Sequence, residues 1–203
     1  MNTRLCHFKI TLLGVEPPIW RSILVPDDYS MWDLHVAIQD AMGWLDYHLH
    51  VFRTKGLRHE RTIGIPDPMD EVRVEADWEV PIGDVFRSPG DTISYEYDFG
   101  DGWRHEIAFE GKAAREAGIA YPVCLNGARA CPPEDCGGVS GYERLLEVLK
   151  TPRTREYDDI CRWLRDQHAK NYWPFKPEKF RSEAVQFMCP AERFRMAFET
   201  DYR

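Results

Sequence analysis

A short motif in the middle of the chain predicts a β-hairpin and constrains the fold more than any other segment. It runs from Tyr95 to Ile107 and reads YEYDFGDGWRHEI. Apolar and polar residues alternate on both sides of a Gly-Asp-Gly turn, which is the period-two pattern of half-buried strands. Glycine takes the positive φ that such tight turns need. The motif therefore predicts two antiparallel strands that are joined at residues 100–102.

A turn of only Gly-Asp-Gly also sets the expected register of this hairpin. The buried face then carries Tyr95, Tyr97 and Phe99 from the first strand and Trp103 and His105 from the second. Glu96 lies opposite Glu106. Two like charges across a ladder are unfavourable, so a base from a third strand, a bound cation or a different register should relieve them. The other expected pairs are Phe99–Trp103, Tyr97–His105, Tyr95–Ile107 and Asp98–Arg104.

Composition excludes several classes of protein. The 203 residues suffice for one sizeable core, so we expect a single domain over 1–203, with a sheet core over about 1–111 and a loop and helical part over about 112–203. The net charge of −8 argues against non-specific binding to nucleic acid or to an anionic membrane. No segment has the roughly 18 apolar residues of a membrane span, and the N-terminus lacks a secretion signal. We expect a cytoplasmic protein whose partner is a protein or a small-molecule ligand.

Hydrophobic periodicity predicts the remaining elements. A capping box at Ser30 and Asp33, followed by apolar residues at helical spacing and by Gly43, predicts a helix over 31–42. Proline and glycine predict irregular structure over 55–77, with at most one short strand, and over 121–141. The other predictions are strands over 5–13, 19–25, 47–54 and 78–82, and helices over 141–150, 154–168 and, in part, 181–199. This order predicts an α+β fold: a curled, mixed or antiparallel sheet with a β-grasp-like β-β-α-β-β-β core and C-terminal helices packed against it.

Several blocks in co-linear order carry a family resemblance. They are, besides the hairpin, PPIWR at 17–21, the stretch from Leu34-His35 through AMGW at 41–44 to HLHVF at 48–52, CPPEDCGG at 131–138 with the following Gly141-Tyr142, and WPFKPEKF at 173–180. Together they resemble the plasmid pRiA4b ORF-3-like family, whose members are also labelled insertion-element passenger TnpR. Lys176 departs from the acidic residue that this pattern has. The resemblance implies a soluble α+β domain of plasmid and mobile-element ancestry whose biochemical role is not established.

Resolvase activity, which that label suggests, does not fit the sequence. A serine recombinase needs a nucleophilic serine among N-terminal arginines and a C-terminal helix-turn-helix. The N-terminal region offers only Ser22 and Ser30, and the second is better explained as a helix cap. The net charge of −8 is also of the wrong sign for a DNA-binding enzyme. We therefore exclude resolvase chemistry.

Three cysteines in one irregular segment suggest a metal site. Cys124, Cys131 and Cys136 are separated by six and four residues, unlike the paired cysteines of zinc ribbons. A loop bent by prolines and glycines could still fold three thiolates and a histidine around zinc, which suits this soft ligand set. The alternative is that these residues are small apolar side chains in a loop.

Two histidines offer a second possible metal site. His48 and His50 are two apart on a predicted strand, so both imidazoles leave the same face. The expected third ligand is Asp98, Asp101 or His105. The alternative is that the histidines are packed and hydrogen-bonded, because an aromatic residue shares their face.

The hairpin tip (residues 98–105) and the CPPED loop (residues 131–138) carry the most specific signals, and irregular polar segments often serve function. We expect the functional site where the two meet. The alternative is that these polar residues have structural roles. Asp98 would form an ion pair with Arg104, and Asp101 would occupy a turn position. The Glu134-Asp135 pair would cap a helix near Gly141 or bind Arg104. The expected binding residues are Asp98, Asp101, Trp103, Arg104, His105, Glu134 and Asp135.

These features favour a non-enzymatic binding or accessory protein with a polar site between the hairpin tip and the CPPED loop. The alternative is a metal-dependent hydrolase or nuclease that uses the two histidines, the hairpin aspartates and His105. Nucleic-acid binding through the basic residues of 153–181 is a weaker alternative, because acidic residues interrupt that stretch. The sequence contains no Ser-His-Asp arrangement, phosphate-binding loop or dinucleotide fingerprint.

Overall fold

One mixed sheet organises the part of the chain that the computed structural model describes, which is residues 4–54, 60–67, 69 and 73–199. Within these residues the spatial order of the strands is β5-β4-β3-β6-β7-β1-β2-β8, and all neighbours are antiparallel except the parallel pair β4–β5. This confirms the predicted α+β class with a mixed sheet. In chain order, β1 to β8 are Leu5–Leu12, Ile19–Pro26, His50–Arg53, Thr62–Gly64, Glu75–Ala76, Thr92–Tyr97, Trp103–Ala113 and Val123–Ala128.

Helices accompany the sheet, and the first of them begins and ends where the sequence predicts. The Ser30 hydroxyl accepts a hydrogen bond from the Asp33 backbone N–H, and the Asp33 carboxylate accepts one from the Ser30 N–H. Gly43 ends the helix at φ 89°, a left-handed conformation that glycine adopts without steric cost. In chain order, α1 to α5 are Met31–Met42, Ile82–Val85, Gly138–Leu149, Arg155–Asp166 and Pro190–Phe198.

The core lies between one face of the sheet and α1. Alternate residues of β1 and β7 are buried, and they share one apolar cluster with the buried side of α1. The C-terminal α5 packs on the outside of α1, where the Trp32 indole donates to the Pro190 carbonyl at 3.2 Å and Arg193 forms 2.9 Å ion pairs with Asp40 and Asp46. The core residues of the two strands and the helix include Phe8, Ile10, Ile107, Phe109, Leu34 and Ile38.

The hairpin reverses the chain close to the predicted place, but in a different register. Asp98 leaves the strand at φ 56°, so the loop runs from Asp98 to Gly102 and not only over Gly-Asp-Gly. The Asp98 Oδ1 atom accepts the backbone N–H groups of Gly100 (3.0 Å) and Asp101 (3.2 Å), which replaces strand pairing by a local turn. The observed pairs are Tyr97–Trp103, Glu96–Arg104, Tyr95–His105 and Ile93–Ile107, so the predicted pairs, including Asp98–Arg104, are wrong.

The new register relieves the acidic pair that the sequence analysis found unfavourable. Glu96 faces Arg104 across the ladder, and Arg53 from β3 forms a 2.7 Å ion pair with the same carboxylate. Glu106 faces Ser94. Two of the three expected remedies, a different register and a base from a third strand, therefore act together here.

Several boundaries differ from the predictions. Residues 123–128 are a strand and not irregular, because this half-exposed edge strand needs to pair only with β2 and tolerates Gly127. The predicted strand over 78–82 is a 3-10 turn at Asp77–Glu79 followed by α2, and only Pro81 forms an isolated bridge. The predicted strand over 47–54 is confined to β3.

Two more differences concern loops and a helix start. The long loop over 55–77 contains β4 and β5, while its residues 55–59, 68 and 70–72 lie outside the described part of the chain. Helix α3 begins at Gly138 and not near Gly141, because Gly137 and Gly138 take positive φ values of 90° and 67° and turn the chain directly into the helix.

Buried histidines lie on the core side of the sheet. The rings of His35 and His50 stack with their centroids 3.5 Å apart and 8° from parallel. The His35 Nε2 atom is 2.9 Å from Asp46, and the His50 Nε2 atom is 2.7 Å from Asp77. Burial, assisted by His35, lowers the pKa of His50 to about 4. Burial also lowers the pKa of His105 to about 3.

We expect the free energy of unfolding to fall as the pH decreases from about 6.5 towards 4. Unfolded His50 and His105 titrate near 6.5, whereas the folded forms stay neutral down to about 4 and 3. The unfolded state therefore binds more protons in this window, and stability drops by up to about 1.4 kcal/mol per pH unit for each group. Urea titrations between about pH 7.5 and pH 4.5 measure this slope.

The variant His105→Phe should reduce that slope by the contribution of one group, because it removes one of the two core histidines whose pKa burial lowers. His7→Gln is the control, since His7 is partly exposed. An unchanged slope in His105→Phe would contradict the assignment of acid sensitivity to the core histidines.

Candidate functional site

The hairpin tip and the CPPED loop lie in direct contact. The Asp101 Oδ2 atom accepts the backbone N–H of Gly137 at 3.1 Å, immediately before α3. A side chain at Gly138 would collide with the Asp101 backbone carbonyl, so only glycine permits this close approach. The carboxylate of Asp101 also lies where the positive end of the α3 dipole favours an anion. This contact brings the two irregular segments together at one end of the sheet.

Three potential metal ligands meet beside this contact. The Nε2 atom of His48 lies 3.0 Å from Asp135 Oδ1 and 3.6 Å from Asp98 Oδ2. The three ligand atoms are all within 4.8 Å of one another, and they form the one such group of three in the described part of the chain. The His48 Nε2 atom is buried, yet it makes no hydrogen bond with any described residue. We call these three residues the His48 cluster.

Local structure orients the buried carboxylate of this cluster. Because Oδ1 of Asp98 is occupied by the turn, its Oδ2 atom is left facing His48. The Asp98 backbone N–H donates to the Leu49 carbonyl at 3.0 Å, which joins the hairpin tip to the segment that carries His48. Asp135 likewise has a positive φ, at 55°. Left-handed conformations are uncommon outside glycine and accumulate at functional sites.

A buried glutamate anchors the CPPED loop below the His48 cluster. The Glu134 Oε1 atom accepts the backbone N–H of Leu45 at 2.7 Å and the Tyr97 hydroxyl at 3.1 Å. The Tyr97 hydroxyl in turn accepts the Tyr47 N–H at 3.0 Å. Burial raises the pKa of Glu134, and burial followed by the charge of Glu134 raises the pKa of Tyr97. Glu134 therefore neither caps α3 nor binds Arg104, which corrects two of the expectations.

Other predicted site residues lie elsewhere. Trp103 and His105 are buried on the core face, and Arg104 is exposed beside Glu96. His50 is buried against Asp77 and does not join His48, because the strand begins only at residue 50 and His48 lies in the bend before it. Asp101 contacts the start of α3 and does not belong to the His48 cluster.

The three cysteines do not gather around one point. None of Cys124, Cys131 and Cys136 belongs to a group of potential ligands in the part of the chain that the structure describes. Cys124 lies on β8, where its thiol donates to the Asn126 carbonyl at 3.5 Å. Burial raises the pKa of the Cys131 thiol to about 12 and also raises the pKa of the Cys136 thiol, so both are protonated in the metal-free protein. The predicted zinc site formed by these cysteines is thus not supported by their placement.

Asp135 is the member of the His48 cluster that the metal hypotheses missed. From the sequence it was expected among the binding residues, but not as a ligand beside His48. The signal that could have found it is the position of a carboxylate in a loop already expected to contact the hairpin tip. The pairing of His48 with Asp135 was not predicted, because the two residues lie far apart in the sequence, one before and one after the hairpin.

Comparisons with known proteins identify the relatives of this chain. A family model described as plasmid pRiA4b ORF-3-like protein matches residues 4–184. The chain belongs to this family. This chain is also similar to a protein named uncharacterized protein y4hQ, from Sinorhizobium fredii. The two are 33% identical over 169 residues, which cover 80% of this chain and 82% of y4hQ.

A solved structure supports the fold of the pRiA4b ORF-3-like chain. It is the crystal structure of a protein of unknown function, MM3350, from Methanosarcina mazei Go1. The two structures superpose with a TM-score of 0.80 at 37% sequence identity, over 92% of this chain and 100% of that chain. The resemblance inferred from the sequence blocks is thereby confirmed, and so is the α+β fold that it implied.

In residues 4–54, 60–67, 69 and 73–199, no helix is both long enough and apolar enough to cross a bilayer.

Replacement of Glu134 by alanine should lower the free energy of unfolding by roughly 1–3 kcal/mol, because the Leu45 N–H and the Tyr97 hydroxyl lose a buried acceptor. Glu134→Gln retains a carbonyl oxygen and should cost less. Chemical denaturation of the purified variants measures both effects. Glu147→Ala, on the exposed face of α3, is the control and should have little effect. Equal losses in the two alanine variants would show that Glu134 is not an anchor.

Proposed function

We propose that this protein is a binding protein in which the His48 cluster holds a divalent cation, between the hairpin tip and the CPPED loop. The bound cation forms the ligand site. The observation that carries the proposal is the imidazole nitrogen of His48. It is buried, it faces the carboxylate oxygens of Asp135 and Asp98 at 3.0 and 3.6 Å, and it has no hydrogen-bond partner among the described residues. A buried ring nitrogen in that position needs a proton donor, an acceptor or a metal ion.

The spacing of the ligand atoms fits a metal ion. Zinc binds nitrogen and oxygen ligands at about 2.0–2.1 Å, so neighbouring ligand atoms of a tetrahedral site are about 3.4 Å apart. The distances of 3.0 and 3.6 Å from His48 to the two carboxylates bracket that value. One imidazole and two carboxylates suit Zn²⁺ or Mn²⁺. The contact of Asp98 Oδ1 with the turn supplies the orienting support that metal ligands usually have.

The surroundings of the His48 cluster favour recognition of a further molecule. Three protein ligands leave an open position on the metal, to which an external group can bind. Tyr47 and Leu49, on either side of His48, are exposed, and so is Phe99 next to Asp98. Exposed apolar side chains grouped around a polar centre are typical of sites that bind a protein or a small molecule.

An accessory role on a plasmid or other mobile element is consistent with the name of the family. The cytoplasm suits such a role, and every cysteine of the chain is free, as expected in a reducing compartment.

The purified protein, stripped with a chelator and then titrated, should bind about one Zn²⁺ or Mn²⁺ per chain at the His48 cluster. Calorimetry and elemental analysis measure affinity and stoichiometry. Asp135→Asn removes an exposed ligand with little structural cost, and it should weaken binding by roughly 10- to 100-fold. His48→Gln should have an effect of similar size.

The control for this experiment is Asp84→Asn, which neutralises an exposed carboxylate on α2. Its cation affinity should equal that of the unsubstituted protein. Absence of stoichiometric binding, or the same loss of affinity in Asp84→Asn and Asp135→Asn, would disprove the proposed site.

A metal-dependent hydrolase or nuclease is the second candidate, and one observation favours it. Glu134, next to Asp135 in the chain, has a pKa raised by burial, as general acids and bases often have. Because Glu134 already accepts hydrogen bonds from Leu45 and Tyr97, we favour binding without turnover.

The manganese-loaded protein should therefore leave a generic phosphodiester, bis-p-nitrophenyl phosphate, unhydrolysed. Release of p-nitrophenol that disappears in both Asp135→Asn and Glu134→Gln, but not in Asp84→Asn, would instead establish the hydrolase.

A further inference from the structure

A second concave site lies on the other side of the CPPED loop. It is a cleft of about 500 Å³ between the C-terminal end of α1, the beginning of the CPPED loop and the segment 170–186. Its described lining contains none of the residues of the His48 cluster. Apolar groups such as Phe175 and Val185 form much of its wall. A ligand in this cleft would therefore contact none of the proposed cation ligands.

A buried arginine lines this cleft without a carboxylate partner. Arg21 is only 1% exposed, and its Nε and Nη1 atoms donate to the backbone carbonyls of Ala41 (2.8 Å), Trp20 (2.8 Å) and Ala128 (3.0 Å). The guanidinium carbon lies 3.7 Å from the centre of the Phe180 ring. No described residue accepts a hydrogen bond from the Nη2 atom, and no described carboxylate pairs with this group. Burial lowers the pKa of Arg21.

Backbone contacts explain part of this arrangement. Ala41 lies in the last turn of α1, where the helix dipole places partial negative charge, so the carbonyls favour a cation at this point. Arg21 thereby connects α1 to β2 and to the edge strand β8. These contacts account for Nε and Nη1, and the Phe180 ring covers one face of the guanidinium, yet no described carboxylate balances its charge. A buried charge without a counter-ion is costly, which points to an anion supplied from outside.

Most of the other charged residues that line the cleft are positively charged, like Arg21. Lysines and an arginine from the segment 170–186 surround the cleft, whereas the acidic lining residue Asp40 is already paired with Arg193 at 2.9 Å. Lys170 is oriented by a 2.6 Å hydrogen bond from its Nζ atom to the Gly43 carbonyl, and two further protons remain to be donated. In a chain of net charge −8, such a local excess of cations is a feature of this cleft and not of the surface as a whole. The basic lining residues are Arg21, Lys170, Lys176, Lys179 and Arg181.

We infer that this cleft binds a small organic anion, in which a carboxylate or phosphate group is attached to an apolar body. The oxyanion would contact the free edge of the Arg21 guanidinium and the Lys170 ammonium, because a planar guanidinium matches the geometry of both anions. The apolar body would pack against Phe175 and Val185. A cleft with mostly apolar walls and a few convergent polar groups is the usual form of a small-molecule site.

Calorimetric titration of the full chain with four probes tests the inference. Phenyl phosphate and benzoate carry the required anion on an apolar body, benzamide lacks the charge, and inorganic phosphate lacks the body. Phenyl phosphate or benzoate should bind saturably, and benzamide and inorganic phosphate should each bind roughly tenfold more weakly, since each loses one of the two contributions. The anionic probe that binds with the higher affinity shows whether the cleft prefers a phosphate or a carboxylate group.

Variants locate the binding in the cleft. Arg21→Met keeps the length of the side chain without its charge, and Lys170→Gln removes the second cation; each should weaken the better probe by roughly tenfold. Lys150→Gln, at the exposed end of α3, is the matched control and should bind as the unsubstituted protein does. Should Arg21→Met fail to fold, Lys170→Gln and Lys179→Gln decide the question. No saturable binding by either anionic probe, equal binding of benzamide, or equal losses in Lys150→Gln and Lys170→Gln would overturn the inference.

Discussion

The turn made by Asp98 is the interaction on which the rest of the structure depends. One oxygen of its carboxylate accepts the backbone N–H groups of Gly100 and Asp101, and its own N–H binds the Leu49 carbonyl. The first contact ends β6 and sets the register with β7, while the second joins the hairpin to the chain that carries His48. The remaining oxygen faces His48. A single residue, through its carboxylate and its backbone N–H, thus determines strand pairing, loop position and the geometry of the His48 cluster.

The alternation of the hairpin residues was sufficient to predict which side chains are buried, although the register was wrong. The predicted and observed registers differ by two residues, and side chains alternate with a period of two, so Tyr95, Tyr97, Trp103 and His105 face inward in both. The alternation of polar and apolar residues is the same in both registers and does not distinguish them. The choice depends on hydrogen bonds of the Asp98 carboxylate to the turn, and such contacts leave no periodic signal in the sequence.

The candidate site was predictable to the extent that it depends on segments with strong local signals. The hairpin tip and the CPPED loop are both distinctive, and their contact through Asp101 and Gly137 agrees with the expected meeting of the two segments. The pairing of His48 with Asp135 was not predictable, because it depends on where an irregular loop is anchored in space. The expected pairing of His48 with His50 failed for a related reason: strand alternation cannot be extended into the bend before β3.

The end of α1 explains how one loop can contribute to both of the proposed sites. Gly43 stops the helix in a left-handed conformation, and the next two residues then face the CPPED loop, where the Trp44 indole donates to the Pro132 carbonyl at 3.0 Å and the Leu45 N–H to Glu134 at 2.7 Å. The anchored loop places Pro132 in the lining of the basic cleft and Asp135 beside His48. Because the buried Glu134 carboxyl would lose its partners if the loop shifted, both sites have their geometry set by the same few contacts.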